Sequence, residues 1–279
     1  MLTELLVIDV DRWSDDMLDA LLARCWEEVR SARPLPTDRA YSPPEGALVN
    51  FVLTQAEVEE LLARLVRYRD APPVTRIEAE SSVIRAFILS GWWDDRAGAA
   101  LAELERYVRR IGSPTADVLC AELHGILARR RRQWSEAAAW YGRVASSAGF
   151  QPGSVFGLVC GFHHLATRAL AGDPSLTGAD LREPWIRRRL LAVTVVDHLG
   201  AVSTATALDH LGHPDLARRL IEWFAADAHD TTKQLFADTL DASGHQLPES
   251  PPAHLLDELL DEVFAIADDL DRVGLPTAR

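Results

Sequence analysis

The chain has 279 residues, 48% of them hydrophobic, which is enough to bury a sizeable core as one elongated or two compact domains and leaves little room for extended disorder. A formal net charge of −13 at pH 7 sets most of the surface against a polyanion, so nucleic-acid binding is disfavoured except on a local basic patch. The longest apolar runs, such as 190–196, fall far short of the roughly 20 residues a membrane helix needs, which argues against a membrane partner.

The first ten residues carry Glu4 and Asp9 in place of the basic start and apolar core of a secretion signal. Cys25, Cys120 and Cys160 are odd in number, far apart and set in apolar helical stretches. That pattern suits reduced, buried thiols and a cytoplasmic location better than a disulfide framework. Lys233 is the single lysine, so arginine carries nearly all the positive charge, a bias that reflects genomic base composition before chemistry.

In chain order, residues 5–10 form a short β-branched run, followed by a helix over 14–30 with Ser14 as its cap and Leu18, Leu21, Leu22, Cys25 and Trp26 on one face. Residues 32–46, with Pro34, Pro36, Pro43 and Pro44, read as a loop. A second apolar run, 48–53, leads into the capping-box pattern Thr54-Gln55-Ala56-Glu57 and a helix to about 69. Residues 1–72 are therefore expected to form a small α/β element if the two apolar runs are strands; both read equally well as helix starts or extended leaders.

After Pro72-Pro73 the period becomes helical throughout. Pairs are predicted over 76–90 and 94–111, over 116–131 and 135–147, and over 193–211 and 215–226, the last joined by Gly212-His213-Pro214. Residues 73–242 are thus expected to be one region of antiparallel helical hairpins. Residues 243–279 then form a linker through Pro248, Pro251 and Pro252 and an acidic amphipathic helix over 253–273, placed as a cap on the preceding stack.

The second helices of the three pairs superpose: Ala97, Leu101, Leu104; Ala137, Tyr141, Val144; Ala217, Ile221, Phe224. A small residue lets two helices approach closely, and larger ones four and seven positions later fill the groove against the next hairpin. Gly125 stands twelve residues before Ala137, the offset that tetratricopeptide repeats use between their small positions. On these residues, and on the segment from Leu208 to Leu220, about half of the chain resembles tetratricopeptide-like helical-repeat proteins, as found in the helical regions of bacterial regulatory ATPases and transcriptional regulators. Ala121 departs from the pattern, replacing the aromatic usual early in the first helix. The resemblance implies a predominantly α, right-handed stack of hairpins in a bacterial regulatory or protein-interaction module, with a peptide or ligand bound along the inner helices.

Two arginine runs stand out, Arg129 to Arg132 and Arg182 with Arg187, Arg188 and Arg189. Adjacent arginines on a helix point in several directions, and a run at a helix end complements the carbonyl pole of its dipole. Helix capping is therefore their plain reading. The sharper one is an acidic peptide, phosphate or nucleic-acid partner docked on the concave surface, with Arg129, Arg132, Trp140, Tyr141, Arg187 and Arg188 as candidate contacts and Trp134 and Trp185 nearby.

Catalytic motifs are weaker. His229-Asp230 is similar to the paired residues of HD-type phosphohydrolases, with His198 and Asp268 or Asp269 as further ligands, but a two-residue word arises easily by chance. His163 and His164 are helical neighbours pointing about 100° apart, which prevents convergence on one metal. His210 and His213 flank the Gly212 turn, where imidazoles satisfy carbonyls. Asp268-Asp269-Leu270-Asp271 resembles the aspartate-rich magnesium motif of class I terpene synthases without a convincing second motif after it, so solvation of a helix face is the better account. The sequence carries no glycine-rich phosphate loop, serine nucleophile elbow or HExxH zinc motif.

No cofactor is therefore expected, and the leading expectation is a non-catalytic scaffold with a protein or peptide partner, a small-molecule ligand being the second choice. The reading of a different class is an enzyme of specialised metabolism, a lyase, cyclase or hydrolase, which would require an enclosed cavity with converging His, Asp or Arg side chains.

Overall fold

The computed structural model describes residues 70, 72–89, 95–146, 155–188, 194–228, 233, 236–248 and 255–274. They form ten helices and no strand: α1 (Pro73–Leu89), α2 (Asp95–Ile111), α3 (Pro114–Arg130), α4 (Trp134–Ser146), α5 (Val155–Leu170), α6 (Gly178–Arg188), α7 (Thr194–His210), α8 (Pro214–Asp227), α9 (Ala237–Ser243) and α10 (Leu256–Gly274). The seven helices predicted after residue 72 correspond to α1 to α4, α7, α8 and α10; α5, α6 and α9 are additional. The apolar runs at 5–10 and 48–53, together with Cys25, Arg189 and His229-Asp230, lie outside the described residues.

The chain divides into two compact units, Met1–Gln133 with Ala139–Gln151, and Trp134–Ala138 with Pro152–Arg279. In the first, α1 packs on both α2 and α3, and α2 on α3. Ala97, Leu101, Leu104 and Val108 recur every three to four residues and make the buried stripe of α2, while its other side carries Glu103, Arg106, Arg109 and Arg110 to water. Ile77, Ile84 and Ile88 from α1 and Cys120, Leu123, Ile126 and Leu127 from α3 complete this core. Ser113 caps α3 by accepting the Ala116 amide at 3.3 Å, with Pro114 in the first turn where no amide hydrogen is needed.

The second unit is organised around α7, which packs on α5, α6, α8 and α9 and is buried at every position from 196 to 208. Its run of Gly200, Ala201, Ser203, Thr204, Ala205 and Ala207 keeps the helix thin enough to be surrounded. Gly200 is the tightest point. A Cβ built there would lie 2.6 Å from Cη2 of Trp185 and 2.8 Å from Cζ of Phe162, two fully buried rings in edge-to-face contact. Thr177 and Asp180 form a reciprocal capping box at the start of α6: the Asp180 amide donates to the threonine hydroxyl, and the Thr177 amide and hydroxyl donate to the aspartate.

Two helix ends follow one device. At the end of α7, Gly212 takes φ +86°, its amide donates to Asp209 and the His213 amide reaches back to Leu208 at 2.8 Å. At the end of α3 the same left-handed position is filled by Arg132, φ +57°, whose amide donates to Arg129 while that of Gln133 donates to Ala128. A side chain there strains the backbone, so Arg132→Gly is expected to raise stability by about 0.5–1 kcal/mol, read as a higher urea midpoint at unchanged slope.

Candidate functional site

In the first unit the arginine run does not open onto a common surface. α3 is an inner helix, and Arg129, 4% exposed, is buried beside the equally buried Glu122 two turns earlier. Arg85 of α1 forks onto the Glu122 carboxylate at 2.6 and 2.8 Å, and burial still pushes that carboxyl above its usual range. Tyr141 is 1% exposed, its ring laid against the bare face of Gly125, where a Cβ would come within 3.0 Å of the ring. Trp140 is half-buried, stacked on His124 at 4.2 Å and 10° and approached by the Arg143 guanidinium, which pairs with Asp117. In the run itself only Arg131 and Arg132, at its end, are exposed. The expectation that Arg129 and Tyr141 serve as surface anchors is therefore corrected: both are core residues. Cys120 lies in the same core, its thiol pushed up to about 12 by burial and by Glu105 and Asp117, too high for a nucleophile at neutral pH.

In the second unit α6 divides its arginines by direction. Arg188 forks onto Asp197 of the buried α7 and is a packing residue. Arg187 pairs with Glu183 one turn back on its own helix. Arg182 reaches across to α10, donating to Asp268 and Asp271. Arg219 of α8 donates to Glu262 of α10 at 2.7 Å. Between these two clamps the apolar side of α10, Leu259, Leu260, Val263 and Ala267, is buried on α6 and α8. Gly178 sets the closest approach, since a Cβ on it would fall 1.9 Å from the Ala267 carbonyl oxygen and 2.8 Å from Oδ1 of Asp271. The second unit thus contains a groove between α6 and α8, apolar along its floor and cationic at Arg182 and Arg219, with an acidic amphipathic helix seated in it.

This geometry reassigns the aspartate-rich segment. Asp268 and Asp271 fasten α10 to α6, and Asp269 pairs with Arg272. Among the described residues no group of three His, Cys, Asp or Glu side chains is arranged to hold a metal. Sequence reasoning singled out Arg182 only as part of a run and passed over Arg219 and Gly178. The available signal was the acidic stripe of the last helix, which calls for cationic partners on its neighbours.

Histidines in this unit join elements. Nε2 of His198 lies 2.8 Å from Oδ2 of Asp227, and that of His210 lies 3.0 Å from the Asp173 carbonyl oxygen in the α5–α6 loop. That loop is tied by Arg168 to Asp173, Ser175 and Asp180, and the hydrogen bonds from Ser175 and Arg168 hold the Asp173 carboxyl well below the usual range. Burial lowers the pKa of His164, helped by Arg168, and burial likewise lowers that of His245. Both are thus neutral in the folded protein at a pH where the unfolded chain takes up a proton. Their contribution is complete above the unfolded value of about 6.5 and is lost as pH falls through it toward the folded values. Thermal denaturation is expected to show the second unit losing stability between pH 7.5 and about 5, with a shallower slope in a His164→Gln/His245→Gln variant; an unchanged slope would assign the loss to other groups.

Compared with protein-family models, curated proteins and solved structures, the chain gives no match.

Proposed function

We propose that this chain is a non-catalytic interaction scaffold of tetratricopeptide-like helical hairpins, with a regulatory role, that recognises a protein or peptide in a groove between helices. One observation carries the reading: the groove between α6 and α8 already accepts an amphipathic helix through an apolar floor and two arginine clamps, the combination by which helix-in-groove recognition works. Packing order supports it. In the first unit α1 meets both the second helix of its own pair and the first helix of the next, and in the second unit α5 meets α6 and α7 in the same way.

α7 is a first helix, yet it has no exposed position between 196 and 208, so in this unit the reading places recognition between the second helices α6 and α8, where α10 is seated. The buried thiols of Cys120 and Cys160 are compatible with a reducing cytoplasm.

The test is affinity capture from lysate of the native host, using the full chain and an Arg182→Glu/Arg219→Glu variant. A protein retained by wild type and lost by the variant is the expected result. Equal retention by both, or no protein retained by wild type, would overturn the reading. Arg129 and Arg188 are unsuitable for this purpose, because Arg129 is itself buried and removing Arg188 would leave the buried Asp197 carboxylate short of its partner.

A further inference from the structure

We propose that α10 is the built-in competitor for the α6–α8 groove, and that the partner it holds off is an amphipathic helix bearing carboxylates on one flank, as α10 itself does. The inference rests on the scaffold reading and names the partner chemistry of that site.

Three observations support it. First, α10 packs on α6 and α8, whereas α7 packs on α5, α6, α8 and α9; α10 adds Leu259, Val263 and Ala267 to the shared core from the side of its two neighbours. Second, complementarity across the groove is that of a ligand and its receptor. The floor takes a narrow apolar stripe, Arg182 takes Asp268 and Asp271, and Arg219 takes Glu262. These ion pairs remain partly open to water, with Asp268 56% and Glu262 48% exposed, so they direct docking while binding weakly and yielding to salt. Third, α10 is joined to α9 only through residues 245–255, which carry Pro248, Pro251 and Pro252. The His245 amide is held by the Leu240 carbonyl and Leu247 packs on the core, so the tether is residues 248–255, whose reach of up to about 26–29 Å matches the roughly 28 Å length of a 19-residue helix and lets α10 leave the groove while α9 stays in place. A tethered helix is present at a local concentration on the order of millimolar, so a partner succeeds only when it binds the groove better than α10 does or when α10 is loosened.

The experiment titrates a fluorescent peptide spanning residues 253–274 against the full chain, followed by anisotropy. Wild type is expected to bind it poorly. An Asp268→Lys/Asp271→Lys chain, in which α10 is repelled by Arg182 while the groove is untouched, is expected to bind at least tenfold tighter, and to bind a peptide carrying the same two lysines at least tenfold more weakly than the unaltered peptide. A Leu259→Ala/Val263→Ala chain loosens α10 from its apolar side and is expected to gain peptide affinity in the same direction.

Circular dichroism reports whether each variant keeps its helices. Failure of both variants to bind better than wild type, or collapse of the second unit in both, would overturn the proposal and make α10 an integral cap. Because the assay reads the groove alone, that failure beside a successful lysate capture would remove this inference and leave the scaffold standing; peptide binding beside a failed capture would mean a groove that takes only its own helix, and would overturn the external partner and the scaffold reading together.

Discussion

Gly200→Ala is expected to destabilise the second unit by about 1–3 kcal/mol, although alanine is the better helix former by about 1 kcal/mol. The added methyl would meet Trp185 at 2.6 and 2.7 Å and Phe162 at 2.8 Å. Neither ring has room to yield: Trp185 is 1% exposed, and its indole nitrogen donates to the Thr204 hydroxyl at 2.8 Å, so moving the ring also costs that hydrogen bond. Gly161 of α5 provides the control, because nothing lies within 4 Å of its would-be Cβ. There only helix propensity acts, and Gly161→Ala is expected to stabilise by about 0.5–1 kcal/mol. Urea denaturation of the two variants reads the difference in sign. A gain at both positions would mean that α7 is not enclosed as described.

The second large effect is expected at Gly178. An alanine methyl there would sit 1.9 Å from the Ala267 carbonyl oxygen and 2.6 Å from its carbon, and a backbone group has no rotamer by which to escape. α10 must then lift away from α6. Gly178→Ala is expected to cost about 3 kcal/mol or more, lowering Tm by several degrees. Asp268→Asn, which weakens a half-exposed ion pair on the same interface, is expected to cost at most about 1 kcal/mol. Close backbone contact and the apolar stripe, rather than the ion pairs, set the strength of docking, while the ion pairs set which helix is accepted. Equal effects of the two substitutions would contradict that division.

Helices carried by a plain 3.6-residue period were legible in the sequence. Ala97, Leu101, Leu104 and Val108 mark the buried stripe of α2 without ambiguity, and Leu259, Leu260 and Val263 do the same for α10. Tyr141, expected from its spacing to face the next hairpin, instead packs within its own pair on Gly125, because only that glycine leaves room for the ring. α6 was missed because Pro184 sits inside it and a proline there ordinarily ends a helix. Its capping box, Thr177 with Asp180, was the local signal that survived, and the packing of Trp185 and Leu181 sustains the helix past the proline.

Less of the site was legible, and the reason is that period identifies a buried stripe but does not say which helix is central. α3 and α7 are enclosed, so of the polar residues that look like surface anchors in the sequence, Arg129 is buried near Glu122 and Arg188 pairs with Asp197. Conversely Arg219 looks like an ordinary helical charge beside Glu222 and proves to hold the last helix. The sequence shows that the acidic residues of α10 need cations; only the fold shows that Arg182 and Arg219 flank one groove.

The central claim is that the second unit is a self-sufficient packing around α7, with α10 seated on it as a separable helix. Native-state amide hydrogen exchange on the full chain, followed against low concentrations of urea, tests this most directly. The account predicts that amides of 198–208 exchange only through global unfolding, while those of 259–270 exchange through an opening of lower free energy and weaker urea dependence that leaves α7 protected. Identical free energies and urea dependences for the two helices would contradict it, because α10 would then open only when the whole unit unfolds.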